Sequence, residues 1–380
     1  MKSSLRPAIG WLRRLGIAQR RSLLMLCLGL AGVAMSGVLA VANSRVWDVD
    51  FNQYYSAGKL AGSGDLYNWE AIRALELQRN EKAVPFGRIP AFAFAFKPLS
   101  ALPYSLARAL WLCAGLGALA ESVALWPLAG WGRACVAICW SVPATVCLAF
   151  GQDTVLFMFF VAQGFWLLLR GREFWAGMAL SVCAAKPHLA VLLPVLLAAK
   201  LKWKALLGGL AGGIVIMLVS FAVEGEQWPN RLLSLARLPE FNPAANRMPN
   251  LRGLLSFLGA GFVIEIALAL AVIITFWFLF RRQPLHVGGR FSLAGGLLLS
   301  HHAYVYDAVL LLPALLLPYE APCPQWLKWW ALLLLTPVPY LLLLTGMELY
   351  GHLAITGYTL ALTAATAASR LGHTTSCQSR

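Results

Sequence analysis

The chain alternates long apolar runs with short polar breaks. Runs of about bilayer-crossing length fall near residues 22–42, 104–126, 133–150, 154–169, 205–224, 254–280, 327–345 and 351–369, and each is read as a membrane helix. Two further regions, 174–199 and 291–318, are apolar but polar in mid-run. The first holds Lys186, Pro187 and His188; the second holds Ser300, His301, His302, Tyr304, Tyr306 and Asp307. Proline disfavours helix at the residue before it, and each flanking arm is short for a crossing, so both regions are predicted to be helical hairpins. With both hairpins included, the pattern describes an all-α polytopic membrane protein of about ten to twelve transmembrane segments.

Composition supports this class, since 59% hydrophobic and 12% charged residues over 380 positions lie far from soluble averages. Lys2, Arg6, Arg13, Arg14, Arg20 and Arg21 precede the first run. The positive-inside rule therefore makes the N-terminus cytoplasmic, and an even number of spans returns the C-terminus to the same side. That arrangement places 18 Lys/Arg and 3 Asp/Glu inside and 13 of each outside, so the whole formal charge of +15 falls inside. Basic inner loops account for the charge, and no nucleic-acid partner is implied. The first run follows a long basic leader and is read as an uncleaved signal anchor, although Ala40-Val41-Ala42 resembles a cleavage site. Six of the eight cysteines lie inside apolar runs, so the cysteines argue neither for disulfides nor for metal.

Residues 1–380 form a single integral membrane domain with two polar outer segments. The first, 43–103, carries Asp48, Asp50, Asp65, Glu70, Glu76 and Glu81. Within it, Asn68 followed by WEAIRALELQ predicts an N-capped amphipathic helix, with Trp69, Ile72, Leu75 and Leu77 on the membrane surface and its charges solvated. Glycines 58, 62 and 64 are expected to turn the chain back toward the bilayer. The second segment, 225–253, mixes prolines with Asn242, Asn246, Asn250 and four arginines, predicting a loop with at most one short helix. Arginine offers a planar fork of donors suited to phosphate.

A carboxylate at the exit from a span is costly to desolvate and is commonly functional when it faces a cavity. Asp50 fits a general base that activates a hydroxyl. Asp48 shares its face only if the stretch is extended, so spacing does not make the two a pair. Solvation of a helix end is the plainer reading of both.

The stretch DFNQYYSAGKLAGSGDLYN, running from Asp50 through Tyr54 and Tyr55 to Leu66 and Tyr67, resembles the first outer loop of glycosyltransferase family 87. Further likeness lies in FGRIPAFAFAFKPLSALP, in Gly151-Gln152 at an outer helix end, in AGMALSVCAAKPHLAVLLPVLL, in MPNLRGLL and in HHAYVYDAVLLLP. It spans residues 46–318. Asp153 departs from the family pattern, and the last two spans have no match.

The resemblance implies a type C glycosyltransferase fold and an inverting enzyme. Its donor would be a polyprenyl-phosphate sugar, with a mannose-like hexose, and its acceptor a glycolipid or glycan hydroxyl. Catalysis would occur on the outer side of a bacterial plasma membrane. Asp50 takes the base role by position. Lys186, His188 and Arg252, with Arg88 behind them, are candidates to stabilise the leaving phosphate. Asp48, Tyr54, Tyr55, Gln152, Asn250, His301, His302 and Tyr306 complete the expected substrate-binding set. No cofactor and no metal is expected, because the carboxylates lack ligand spacing. A secondary transporter or a lipid-linked sugar flippase would share the hydropathy, although transporters generally place polar sites near the midplane.

Overall fold

The computed structural model describes residues 17–42, 49–79, 82–126, 131–238, 240, 244–320 and 323–377. Its regular structure is helical throughout, with no strand among the described residues. The protein is an all-α polytopic membrane protein. Among the described residues, three helices are long and apolar enough to cross a bilayer: Tyr104–Leu125, Trp203–Glu224 and Phe262–Phe280. Their outward faces carry exposed leucine, valine and phenylalanine, such as Leu207, Leu218, Val263 and Phe278. Hydrocarbon is the solvent that makes such faces stable.

Several expected spans are shorter or interrupted. The 133–150 run bends by 65° between Trp140 and Val142, where Ser141 caps the second half by accepting from Ala144 N–H. The 254–280 run is divided into Leu251–Phe257 and Phe262–Phe280 by a turn at Gly259, where φ is +68°. Gln325–Leu335 and Val338–Leu342 meet at Pro337. Hydropathy averages over such breaks because they retain apolar side chains.

Both polar-centred regions reverse direction. The first rises through Glu173–Ser181, turns at Lys186, where φ is −132° and ψ 68°, and returns through Leu192–Ala199. Lys202 Nζ meets Glu173 Oε1 at 2.7 Å, so the two ends of the segment lie together. The second likewise rises through Leu285–Leu299 to an irregular tip and returns along Val305–Tyr319, and Arg290 Nη1 meets Glu320 Oε2 at 2.6 Å at its base. The tips therefore share a side, with Lys186 on one and His301 to Asp307 on the other. Gly296 permits the close fit: a Cβ there would come 2.1 Å from the Leu189 carbonyl oxygen.

The first outer segment folds as three helices, Val49–Leu60, Trp69–Glu76 and Pro90–Ser100. Its core joins Phe51, Tyr54, Tyr55, Phe86 and Phe96, with Trp228 from the second outer segment. Asn68 caps its helix as predicted, accepting from Ala71 N–H. That helix does not lie on the membrane through Ile72, however, which is fully buried in this core, and Glu76 is buried rather than solvated. The amphipathic face found a protein surface instead. Gly62 and Gly64 turn the chain at φ +82° and +83°, whereas Gly58 serves packing, since a Cβ would lie 2.9 Å from the Phe96 carbonyl. The second outer segment contains the helix Trp228–Leu235 and a 3-10 turn, Ala245–Arg247. Arg231 ties it to the first by donating to the Gly64 carbonyl at 2.8 Å.

Candidate active site

The site is organised by the turn between the helices Val142–Phe150 and Thr154–Leu169. Gly151 ends the first helix at φ +73°, and a Cβ there would lie 2.5 Å from Phe51 Cβ. The missing side chain lets the Val49–Leu60 helix rest directly on the turn. Trp111 Nε1 holds the turn by donating to the Gly151 carbonyl at 2.7 Å. Asp50, next to Phe51, thus reaches Gln152, whose side chain hydrogen-bonds its carboxylate.

Lys186 reaches the same turn from the first hairpin tip. Its Nζ lies 2.5 Å from Thr154 Oγ1, 2.8 Å from Asp307 Oδ1, 3.1 Å from Gln152 Oε1 and 3.0 Å from Asp153 Oδ1. Arg88 Nη2 lies 3.3 Å from Asp153 and 3.4 Å from the Tyr54 hydroxyl. Tyr54 in turn donates to Gln152 Oε1 at 2.9 Å. Gln152 Oε1 thus accepts from Tyr54 and Lys186, which leaves the amide N–H groups to face Asp50. Two buried cations are matched by two buried carboxylates, Asp153 and Asp307, as the high cost of an uncompensated interior charge requires.

These groups open on a cavity of about 320 Å³. Asp50, Arg88, Gln152 and Lys186 line it together with Gln53, and His188, His301, His302, Tyr304, Tyr306 and Asp307 contribute from the hairpin tips. Aromatic rings form a ladder along that wall. His188 and His302 stand 6.1 Å apart between centroids, His302 and Tyr304 5.1 Å, and Tyr304 and Tyr306 5.0 Å with the last pair stacked.

Burial sets the charge states. Desolvation pushes the Asp50 carboxyl up to about 7, against the opposing pull of the Gln152 hydrogen bond and of Lys186 and Arg88. Asp153 is also desolvated, yet Arg88 and Lys186 hold it down at about 2. Desolvation, with Arg88 and Lys186 nearby, lowers His302 to about 4. At neutral pH Asp50 can therefore exchange a proton while Asp153 stays ionised and His302 stays neutral.

Of the residues expected from sequence, Asp50, Arg88, Gln152, Lys186, His188, His301, His302 and Tyr306 come together at the cavity. Tyr54 stands behind it as a hydrogen-bonding support. Tyr55 does not face it: its hydroxyl donates to the Leu102 carbonyl and its ring packs on Tyr104. Asn250 is a structural clamp, capping Leu251–Phe257 through Gly253 N–H and donating to the Ser300 carbonyl at 2.6 Å. Arg252 contacts the His301 ring and lies 3.7 Å from Glu265. Asp48 lies outside the described residues.

Gln53, Asp153, Thr154, Tyr304 and Asp307 belong to the network or the cavity but were absent from the expected set. Asp307 had a readable signal, because an ionisable residue in an apolar run marks a partnered or functional position. Asp153 carried a second one, as the residue that departs from the family pattern.

A multi-span helical fold with a cluster of cations, carboxylates and stacked rings at one pair of hairpin tips defines a membrane protein that handles a polar group at the end of its bundle. The model of Glycosyltransferase family 87 matches residues 90–313, more than half of the chain, and the protein belongs to that family. It is a membrane glycosyltransferase. The matched segment contains Gln152, Lys186, His188, Asn250, Arg252, His301, His302 and Tyr306, while Asp50 and Arg88 precede it. Comparison with curated proteins and with solved structures finds no match.

Proposed function

We propose that this enzyme transfers a mannose-like hexose from a polyprenyl phosphate to an acceptor hydroxyl on the outer side of a bacterial plasma membrane, with inversion and without a metal. The acceptor is a glycolipid or a glycan end. The observation that carries the reading is Asp50: a carboxylate facing a cavity of sugar-compatible size, held by Gln152 and raised to about 7. A base matched to the working pH is the most effective kind. Asp50 takes the proton of the acceptor hydroxyl as that oxygen bonds to the anomeric carbon. The bond from that carbon to the phosphate oxygen breaks, and its electron pair leaves with the phosphate.

The other lining groups suit sugar binding. Rings of Tyr304 and Tyr306 offer an apolar wall for a pyranose face. Arg88 Nε is buried without a hydrogen-bond partner among the described residues, a donor placed to meet a hydroxyl. The test is Asp50→Asn assayed with the parent's lipid donor. Transfer is expected to fall by two to four orders of magnitude while donor binding persists; an active variant removes Asp50 from the mechanism.

A further inference from the structure

Beside the polar cavity lies a groove of about 590 Å³, and Tyr304 and Tyr306 line both. One wall is an apolar helix face; the other is built on the short helix Val338–Leu342 and the turn after it. Val142, Thr145, Val146 and Ala149 form one, and Pro337, Tyr340, Leu341 and Leu344 the other. Each set follows the i, i+3, i+4, i+7 spacing that aligns side chains along one side of a helical stretch. From Val142 to Ala149 such a face runs roughly 10 Å. Phe150, the next lining residue, packs edge-on to Tyr306 at 6.3 Å, so this end of the groove meets the polar cavity.

Two cations line the groove, Lys82 and Arg247. Both are exposed, and neither has an ion-pair partner among the described residues. Each is tied by its chain to the junction. Lys82 is two residues from Val84, which lines the polar cavity. Arg247 is three residues from Asn250, which holds the Ser300 carbonyl beside His301. The cations inside the polar cavity are already engaged: Lys186 by Asp153 and Asp307, Arg88 by Asp153. Arg252, close by, has Glu265. A phosphate arriving with its own negative charge gains most from cations that lack a carboxylate.

We infer that the groove holds the long apolar chain of the lipid phosphate donor and that Lys82 and Arg247, rather than Lys186, receive its phosphate. This rests on the donor class proposed above. The sugar then projects past Tyr304 and Tyr306 toward Asp50. Lys186 becomes a positioning residue, acting on Asp50 through Gln152.

The test is equilibrium binding to the purified full chain of three probes: undecaprenyl phosphate, undecaprenol and inorganic phosphate. The parent is expected to bind the lipid phosphate more tightly than the alcohol, and both far more tightly than inorganic phosphate. Lys82→Gln with Arg247→Gln should weaken the lipid phosphate about tenfold or more and leave the alcohol unchanged. Ala149→Trp, which fills the groove, should weaken both lipids. An unchanged lipid-phosphate affinity in the double variant overturns the inference while leaving the donor reading intact. Equal loss of alcohol and phosphate in that variant overturns it too, because charge would then not discriminate. Inorganic phosphate bound as tightly as the lipid overturns the role of the groove. A parent that binds neither lipid sinks the donor reading itself.

Discussion

Lys186 and Asp307, 121 residues apart, meet at 2.8 Å with both side chains almost wholly buried, and their contact pins the tip of one hairpin to the tip of the other. Removing one member of a buried pair leaves an uncompensated charge and costs about 3–5 kcal/mol. Asp307→Leu should therefore lower the thermal midpoint sharply. Lys186→Met added to it should recover much of that loss, because Asp153 keeps Arg88 as a partner. Transfer should not recover, since Gln152 has lost the ammonium that orients it. Recovery of activity along with stability would show that Lys186 has only a structural role.

The pH profile follows from Asp50. A base works deprotonated, and the carboxyl titrates near 7, so kcat/KM should rise through about pH 7 and level off above it. The sign for stability is opposite. Because the folded value is raised above the ordinary 3.8, the contribution of Asp50 to folding is fully present below about pH 4 and is lost as pH rises through about 7. Asp50→Asn should flatten that part of the stability profile. A rate that is flat from pH 6 to 8 in the parent would argue against Asp50 as the base.

Gly151→Ala tests the placement of the base from a distance. The added methyl meets Phe51 at a conformation of φ +73° that alanine adopts only with strain. The Val49–Leu60 helix must then move, taking Asp50 away from Gln152. Expected is a fall in kcat of about tenfold to a hundredfold with little change in donor affinity, since misplacement of about an ångström is enough to produce such losses.

Glu76 gives an independent check on the cavity wall. Its Oε2 accepts Val84 N–H at 2.7 Å, its Oε1 is buried without a partner, and desolvation raises its carboxyl to about 8. Glu76→Gln keeps the acceptor and removes the titration, so parent and variant should transfer alike at pH 7, with the variant the more stable at pH 9. Glu76→Leu loses the acceptor and should slow transfer by loosening the segment that carries Arg88. Equal activity in both variants at pH 7 would show that this hydrogen bond does not support the site.

Metal independence is tested directly. Asp153 and Asp307, the carboxylates deepest in the site, are engaged by Lys186, so a chelator should leave the rate unchanged. Loss of transfer on chelation, restored by a divalent ion, would overturn this expectation.

The helical membrane class was legible from the chain because lipid imposes a long, one-dimensional requirement: about twenty apolar residues in a row, with charge biased to one side. The hairpins were legible for a similar reason, as Lys186-Pro187 and the histidines interrupt runs that would otherwise continue. Asp50 stood out as a carboxylate where the chain leaves an apolar run, and the order of short motifs led to the family.

Only the tertiary structure decided which polar residues meet. Asp153 and Asp307 are 154 positions apart and nothing in their spacing pairs them, yet one ammonium joins them; such pairing depends on how the two hairpin tips pack against the turn before Thr154, which local pattern does not encode. The same packing turned Tyr55 and Asn250 into supports, buried Glu76 and Ile72 against a protein surface where hydropathy alone allowed a membrane surface, and set an apolar groove lined by Lys82 and Arg247 beside the cavity that Asp50 lines. Amphipathic patterns state that a face must be covered. What covers it is a property of the folded chain, because hydrophobic burial is non-directional and accepts lipid or protein alike.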